Sequence, residues 1–163
     1  MDRELTEQYA AGGEKLSLAI RGLTSEDMRW VPPPDAPPEL GRWSIQQVVV
    51  HTMDSDLVSS DRLKRMIAEE KPMLIGYDET RFARHLFYEE QPAEEAAAIV
   101  DFNRRLFARV LRKLPDAAWN RAGQHNERGR ITVGGYLKAV VDHLEHHMKF
   151  IHEKRAAMGK EMW

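Results

Sequence analysis

The sequence predicts an all-α protein, a four-helix bundle with a long crossover between its second and third helices. Proline and glycine divide the 163 residues into four long segments. Each segment repeats apolar residues at three- and four-residue spacing, the period of a helix with one buried face. No run of alternating β-branched residues stands between them, so no sheet is expected.

Helix one runs from about Leu5 to Ile20, with Leu5, Tyr9, Leu16 and Ile20 as its apolar stripe. It gives way to T-S-E-D-M-R-W, a short capped turn, and then to Pro32, Pro33, Pro34, Pro37 and Pro38, which forbid regular helix. Helix two opens at Ser44, where S-x-x-Q with Gln47 forms a capping box, and continues through Val48, His51, Leu57 and Leu63 to about Glu70. The connection from Lys71 to Gln91 carries a helical turn around Arg81 to Phe87, and its length frees helices two and three from being antiparallel neighbours. Helix three begins near Pro92 and runs through Ile99, Phe102, Leu106, Val110 and Leu114 to Pro115. Helix four begins after Thr132 and reaches about Met158.

Composition narrows the function. One domain, residues 1–163, is long enough to bury a full core. Basic and acidic residues number 24 and 26, giving a net charge of −2 with no long block of one sign, which argues against nucleic-acid binding. Cysteine is absent, so there is no disulfide or thiolate nucleophile, and a metal would be held by nitrogen and oxygen ligands. A polar start and the lack of an apolar run near 18 residues point to a soluble, cytoplasmic protein without a membrane partner.

His51, His143 and His147 carry the chemistry. His143 and His147 stand four residues apart, about 6 Å of rise and roughly 40° of rotation, and leave the same helix face. The core stripe of helix four is Val133, Leu137, Val140, Leu144 and Ile151, with Tyr136 and His143 flanking it and His147 within it. His146 falls on a solvated row with Ala139, Asp142, Lys149 and Glu153. A lone inward histidine is ordinarily a hydrogen-bonded core residue, but two a turn apart are costly to bury unless a cation shares their lone pairs. His51 is placed to supply a third imidazole, with Asp54 or Glu145 as outer acceptors that fix its tautomer, although Val48, Val49 and Val50 blur the direction of the core and His51 also reads as a satisfied core residue. Counted from the caps Ser44 and Thr132, the histidines stand at positions 7, 11 and 15, equivalent angles one turn apart. That relation fits either a pseudo-twofold bundle or coincidence between two helix–turn–helix units.

Other readings are weaker. H-E-x-x-H proteases require glutamate after the first histidine, where this chain has Leu144; Glu145 is turned by about 200°. The glycine pairs 12–13 and 134–135 build no phosphate loop, and no serine stands in a nucleophile elbow. Trp43, Arg130 and His125 are candidates for the bundle mouth, although His125 also reads as a plain loop residue and Trp43 as a core neighbour of the cap. His85 and His152 read as surface.

At W-S-I-Q-Q-V-V-V-H, H-N-E-R-G-R-I-T-V-G-G-Y-L and D-H-L-E-H-H-M-K-F-I together, the chain resembles the DinB/YfiT-like superfamily (DinB family) over nearly its whole length. The resemblance implies a four-helix bundle with a long crossover and a divalent ion, zinc or nickel, on His51, His143 and His147. Relatives include mycothiol-dependent maleylpyruvate isomerases and bacillithiol S-transferases, which implies a metal-dependent transferase, isomerase or hydrolase acting on a small-molecule substrate with a low-molecular-weight thiol. Homodimers are common among such relatives. The isomerase-like ones carry glutamate where this chain has His143, which weighs against that activity. The competing expectation is a non-catalytic stress-response or interaction bundle with a structural metal or none.

Overall fold

The structure, a computed structural model, describes residues 3–162. In chain order it contains α1 (Arg3–Ala19), α2 (Ser25–Arg29), a 3-10 turn at Pro38–Leu40, α3 (Ile45–Ala68), β1 (Met73–Leu74) and α4 (Glu79–His85). Then follow α5 (Ala93–Leu111), a second 3-10 turn at Asp116–Asn120, β2 (Ala122–His125), β3 (Gly129–Thr132) and α6 (Val133–Ala157). The four long helices form the bundle. Helix α1 packs on α5 and α6, and α3 packs on the same two. The pairs α1/α3 and α5/α6, consecutive among the long helices, therefore lie on the diagonals. No helix among the described residues is long and apolar enough to cross a membrane.

Local sequence sets the helix starts. The Ser44 hydroxyl accepts from the Gln47 amide while the Gln47 side chain accepts from the Ser44 amide, closing the expected box at α3. Thr24 and Asp27 do the same for α2, and Thr132 caps α6 through the Gly135 amide. Leu5, Tyr9, Leu16 and Ile20 are buried as the periodicity requires, as are Val133, Leu137, Val140, Leu144 and Ile151.

Three expectations fail for identifiable reasons. The stretches around 73, 122 and 129 form a small sheet in order β1-β2-β3, with β1 parallel to β2 and β2 antiparallel to β3. Two- and four-residue strands are too short to show a period. Leu57 is exposed on α3. On α5 the row Ile99, Phe102, Leu106 and Val110 also faces outward, while Ala96, Ala97, Val100, Arg104, Phe107, Ala108 and Leu111 face inward. The cause is the close approach of α1. A Cβ on Gly13 would lie 2.2 Å from Asp101 Cα, and one on Gly12 would lie 2.4 Å from Arg104 Nη1. The close approach is made where α1 carries no side chain, Phe107 and Arg104 pack beside it on Tyr9, and the bulky row turns away.

The core is two apolar clusters separated by a polar waist. Along α3 one cluster ends at Met53 and the other begins at Leu63; along α5 the break lies between Val100 and Phe107, and along α6 between Val141 and Leu144. In the waist, Arg104 Nε donates to Asp56 Oδ1 at 2.7 Å, and Asn103 Nδ2 donates to Asp56 Oδ2 at 2.6 Å and Ser60 Oγ at 2.7 Å. The Arg104 guanidinium lies over the Tyr9 ring at 4.9 Å, joining α1, α3 and α5. Elsewhere, Arg155 Nη1 donates to the Ala19 and Arg21 carbonyls at the end of α1. Buried Lys154 donates to the Leu40 carbonyl, tying the proline-rich connection to α6.

Two outcomes follow from this packing. Gly13→Ala gains helix propensity but drives a methyl into the α5 backbone, so unfolding by urea should show a net loss of about 2 kcal/mol; unchanged stability would contradict the close approach. Burial lowers the Lys154 ammonium from 10.5 to about 8. The unfolded chain then binds a proton that the folded chain resists, so this penalty is complete below the folded value and disappears as pH rises. Between about pH 8 and about pH 10 the wild type should gain about 2 kcal/mol relative to Lys154→Met, read from denaturation at each pH. A difference that stays constant over that window would refute the shift.

Candidate metal centre

His51 lies two turns into α3, after the Ser44 cap and the buried run Val48 to Val50, and is 1% exposed. His143 and His147 leave one face of α6 within the polar waist. His51 Nε2 is 3.3 Å from His143 Nε2, and His143 Nε2 is 3.0 Å from His147 Nε2. One nitrogen from each histidine lies within 4.8 Å of the others. The offsets from the two caps thus do bring the rings together. His146 is exposed with its ring against Phe150, and His85 and His152 are exposed.

Burial keeps these imidazoles neutral. His51 is lowered from 6.5 to about 4 by burial and then by His143; His143 is lowered to about 4 by burial and then by His146, Arg104 and Arg128. His147 falls to about 2, chiefly through burial. A neutral ring nitrogen bears either a hydrogen or a lone pair. His143 Nε2 therefore cannot satisfy both neighbours as a single donor or a single acceptor. One cation accepting all three lone pairs removes the conflict, and nitrogen separations near 3 Å match ligands about 2 Å from a common centre.

The surroundings differ from expectation in their outer partners. Asp54 accepts from the Tyr88 hydroxyl at 2.6 Å, and Glu145 accepts from Lys15 at 2.5 Å, so neither orients His51. His51 Nδ1 and His147 Nδ1 are buried without a partner. The carboxylate nearest the triad is Glu79, the first residue of α4, whose Oε2 is 3.8 Å from His51 Nε2 and whose side chain is 61% exposed. It does not join the set within 4.8 Å of all three histidines, so the triad has an open side. Glu79 lay outside the sequence argument because its only signal is an acidic residue following the Asp78 cap.

Two cavities meet at this point, and Glu79 borders both. A polar chamber of about 160 Å³ is lined by His51, His143, Ser59, Arg62, His125 and Arg128. A cleft of about 310 Å³ on the other side is lined by Trp43, Val48, His147 and Phe150. Trp43 packs edge-on to His51 with ring centres 5.0 Å apart. His125 is buried at the end of β2 and faces the chamber. Arg130 lines neither cavity; Arg128, in the hairpin turn, takes that position. The sheet register carries it there: Gln124 donates to the Pro72 carbonyl, and Asn126 joins the Leu74 carbonyl and the Gly76 amide, closing the 73–79 segment over the triad.

Comparison with known proteins agrees with this architecture. The model of the DinB superfamily matches residues 8–151. A "Putative metal-dependent hydrolase" of Oceanobacillus iheyensis is 31% identical over 111 residues, 68% of this chain and 64% of that protein, slightly under two thirds of its length. The "Putative metal-dependent hydrolase YfiT" of Bacillus subtilis is 28% identical over 146 residues, 89% of this chain and 79% of that protein. The solved structure of YfiT, described as a probable metal-dependent hydrolase with an unusual four-helix bundle topology, superposes with a TM-score of 0.85 at 26% identity and covers 98% of this chain and 90% of that one. With four helices in diagonal order, a three-histidine centre and a family match across most of its length, the chain belongs to the DinB superfamily.

Proposed function

We propose that His51, His143 and His147 hold one divalent ion, zinc or nickel, and that the protein is a metal-dependent hydrolase of a small-molecule substrate. The observation that carries this reading is the convergence of three neutral imidazole nitrogens, that of His51 buried and that of His143 half-buried, on a point with an open side. An ion there supplies Lewis acidity toward a carbonyl or similar group and lowers the pKa of water. The chain's own contribution begins with Glu79. Its exposed carboxylate stands at the open side, where it takes the proton of an attacking water and returns it to the leaving group. Trp43 and Phe150 keep the cleft side apolar and reduce competing access by water. A low-molecular-weight thiol entering through its sulfur would use the same open side, which is the transferase form of this reading. A purely structural metal is disfavoured because, among the described residues, no fourth histidine or carboxylate closes the set.

Two measurements test the assignment. Elemental analysis of tag-free protein should find about one equivalent of zinc or nickel, lost from His143→Ala/His147→Ala; metal retained at full stoichiometry by that variant would overturn it. Glu79→Gln should keep its metal but lose on the order of 10²-fold or more in hydrolysis of an activated ester such as 4-nitrophenyl acetate. Undiminished hydrolysis by that variant would remove Glu79 from the mechanism.

A further inference from the structure

The polar chamber contains a buried cation without a counter-ion. Arg62 is 8% exposed, yet its partners are neutral: Nη1 donates to the Tyr136 hydroxyl at 2.7 Å and Nη2 to the Ile75 carbonyl. Its Nε has no partner, and each terminal nitrogen retains a second hydrogen. Arg104, as deeply buried, has Asp56 at 2.7 Å. A guanidinium removed from water without a carboxylate is costly unless an anion completes its surroundings.

Two further groups face the same space. The Glu127 amide donates to His125 Nδ1 at 3.2 Å, so Nδ1 is the acceptor and the proton of the neutral ring resides on Nε2, a free donor. Burial and the nearby charges of Arg62 and Arg128 hold His125 below its ordinary value, consistent with that neutral form. Among the described residues Arg128 forms no ion pair, and it is close enough to His125 and His143 to influence both. The carboxylates facing the chamber are Glu79, at the triad, and Glu127, whose oxygens lie against Gly76. Neither pairs with Arg62.

We propose that this chamber is an anion subsite, in which Arg62, Arg128 and the Nε2–H of His125 bind a carboxylate- or phosphate-sized end group of the substrate. The substrate is then a small anionic molecule, oriented with its charged end among these donors and its scissile group toward His51 and His143, which line the same chamber. The orientation rests on the metal reading, whereas the subsite stands on Arg62 and its neighbours. Substrate binding supplies the charge that the fold omits. The apolar cleft beyond Glu79 is left for the remainder of the molecule.

Titration calorimetry with malonate, with inorganic phosphate and with uncharged malonamide tests this, each run on protein of measured metal content and repeated after chelation. At least one of the two anions should bind at least tenfold more tightly than malonamide, and the tighter one identifies the end group. Its affinity should fall tenfold or more in Arg62→Met. Because Arg62 also supports Tyr136 and Ile75, that variant requires a folding check; exposed Arg128→Gln does not carry such contacts and should weaken binding about threefold. Arg130→Gln, of equal charge change but outside the chamber, should leave it unchanged. Binding that is equal for malonamide, or that weakens alike in Arg128→Gln and Arg130→Gln, overturns the subsite. Loss of the anion preference with one equivalent of metal still present defeats the subsite alone, and anion binding by protein that takes up no metal defeats only the metal reading.

Discussion

Three neutral imidazoles inside a helical bundle, with His143 Nε2 3.3 Å from that of His51 and 3.0 Å from that of His147, constitute the constraint around which the rest is arranged. Such a cluster cannot be accommodated by an apolar core, because each nitrogen demands a partner and the available hydrogens are too few. The bundle answers with a polar waist between two apolar clusters. Asp56 and Arg104 pair within the waist and tie three helices, while the triad faces the cavities. The apolar clusters on either side fix the positions of α3 and α6, so the imidazoles are held by rigid elements.

The diagonal order of the helices explains why the site is complete. Each irregular connection contributes to it: the first brings Trp43, the second Glu79 and the third His125 and Arg128. Helices thus supply the three imidazoles, and connections supply other groups that line the two cavities. Evolutionary change in the connections can alter specificity while the triad is preserved, the usual division between a packed scaffold and variable loops. The short sheet is the device that makes these connections precise, because backbone pairing between β1 and β2 fixes the third connection against the second.

What was legible in the sequence follows the range of the forces involved. Capping boxes at Ser44 and Thr24 and the spacing of His143 and His147 are local, and the sequence states them directly. The approach of α1 to α5 is not local. Bulky Ile99, Phe102, Leu106 and Val110 form a better apolar stripe on paper, yet the face set by the approach of α1 at Gly12 and Gly13 is the mixed row of Ala96, Ala97, Val100, Arg104, Phe107 and Ala108. The same limit hides Glu79 and Arg128, which reach the triad through sheet register, and misassigns Asp54 and Glu145, whose nearest charges and donors come from Tyr88 and Lys15 on other elements.

Of the three buried arginines, Arg155 caps the carbonyls at the end of α1, and the other two differ in how their charge is met. Arg104 and Arg62 lie at similar depth, but one is neutralised by Asp56 and the other only solvated by a hydroxyl and a carbonyl. A buried guanidinium without a carboxylate weakens the folded state unless something else meets its charge, as the carbonyls at the negative end of α1 do for Arg155. Arg62 instead borders the cavity at the triad, where an internal carboxylate would block a ligand's charged group. That charge stands beside a cavity, where a bound anion would restore the stability that its burial costs, as the proposed subsite requires.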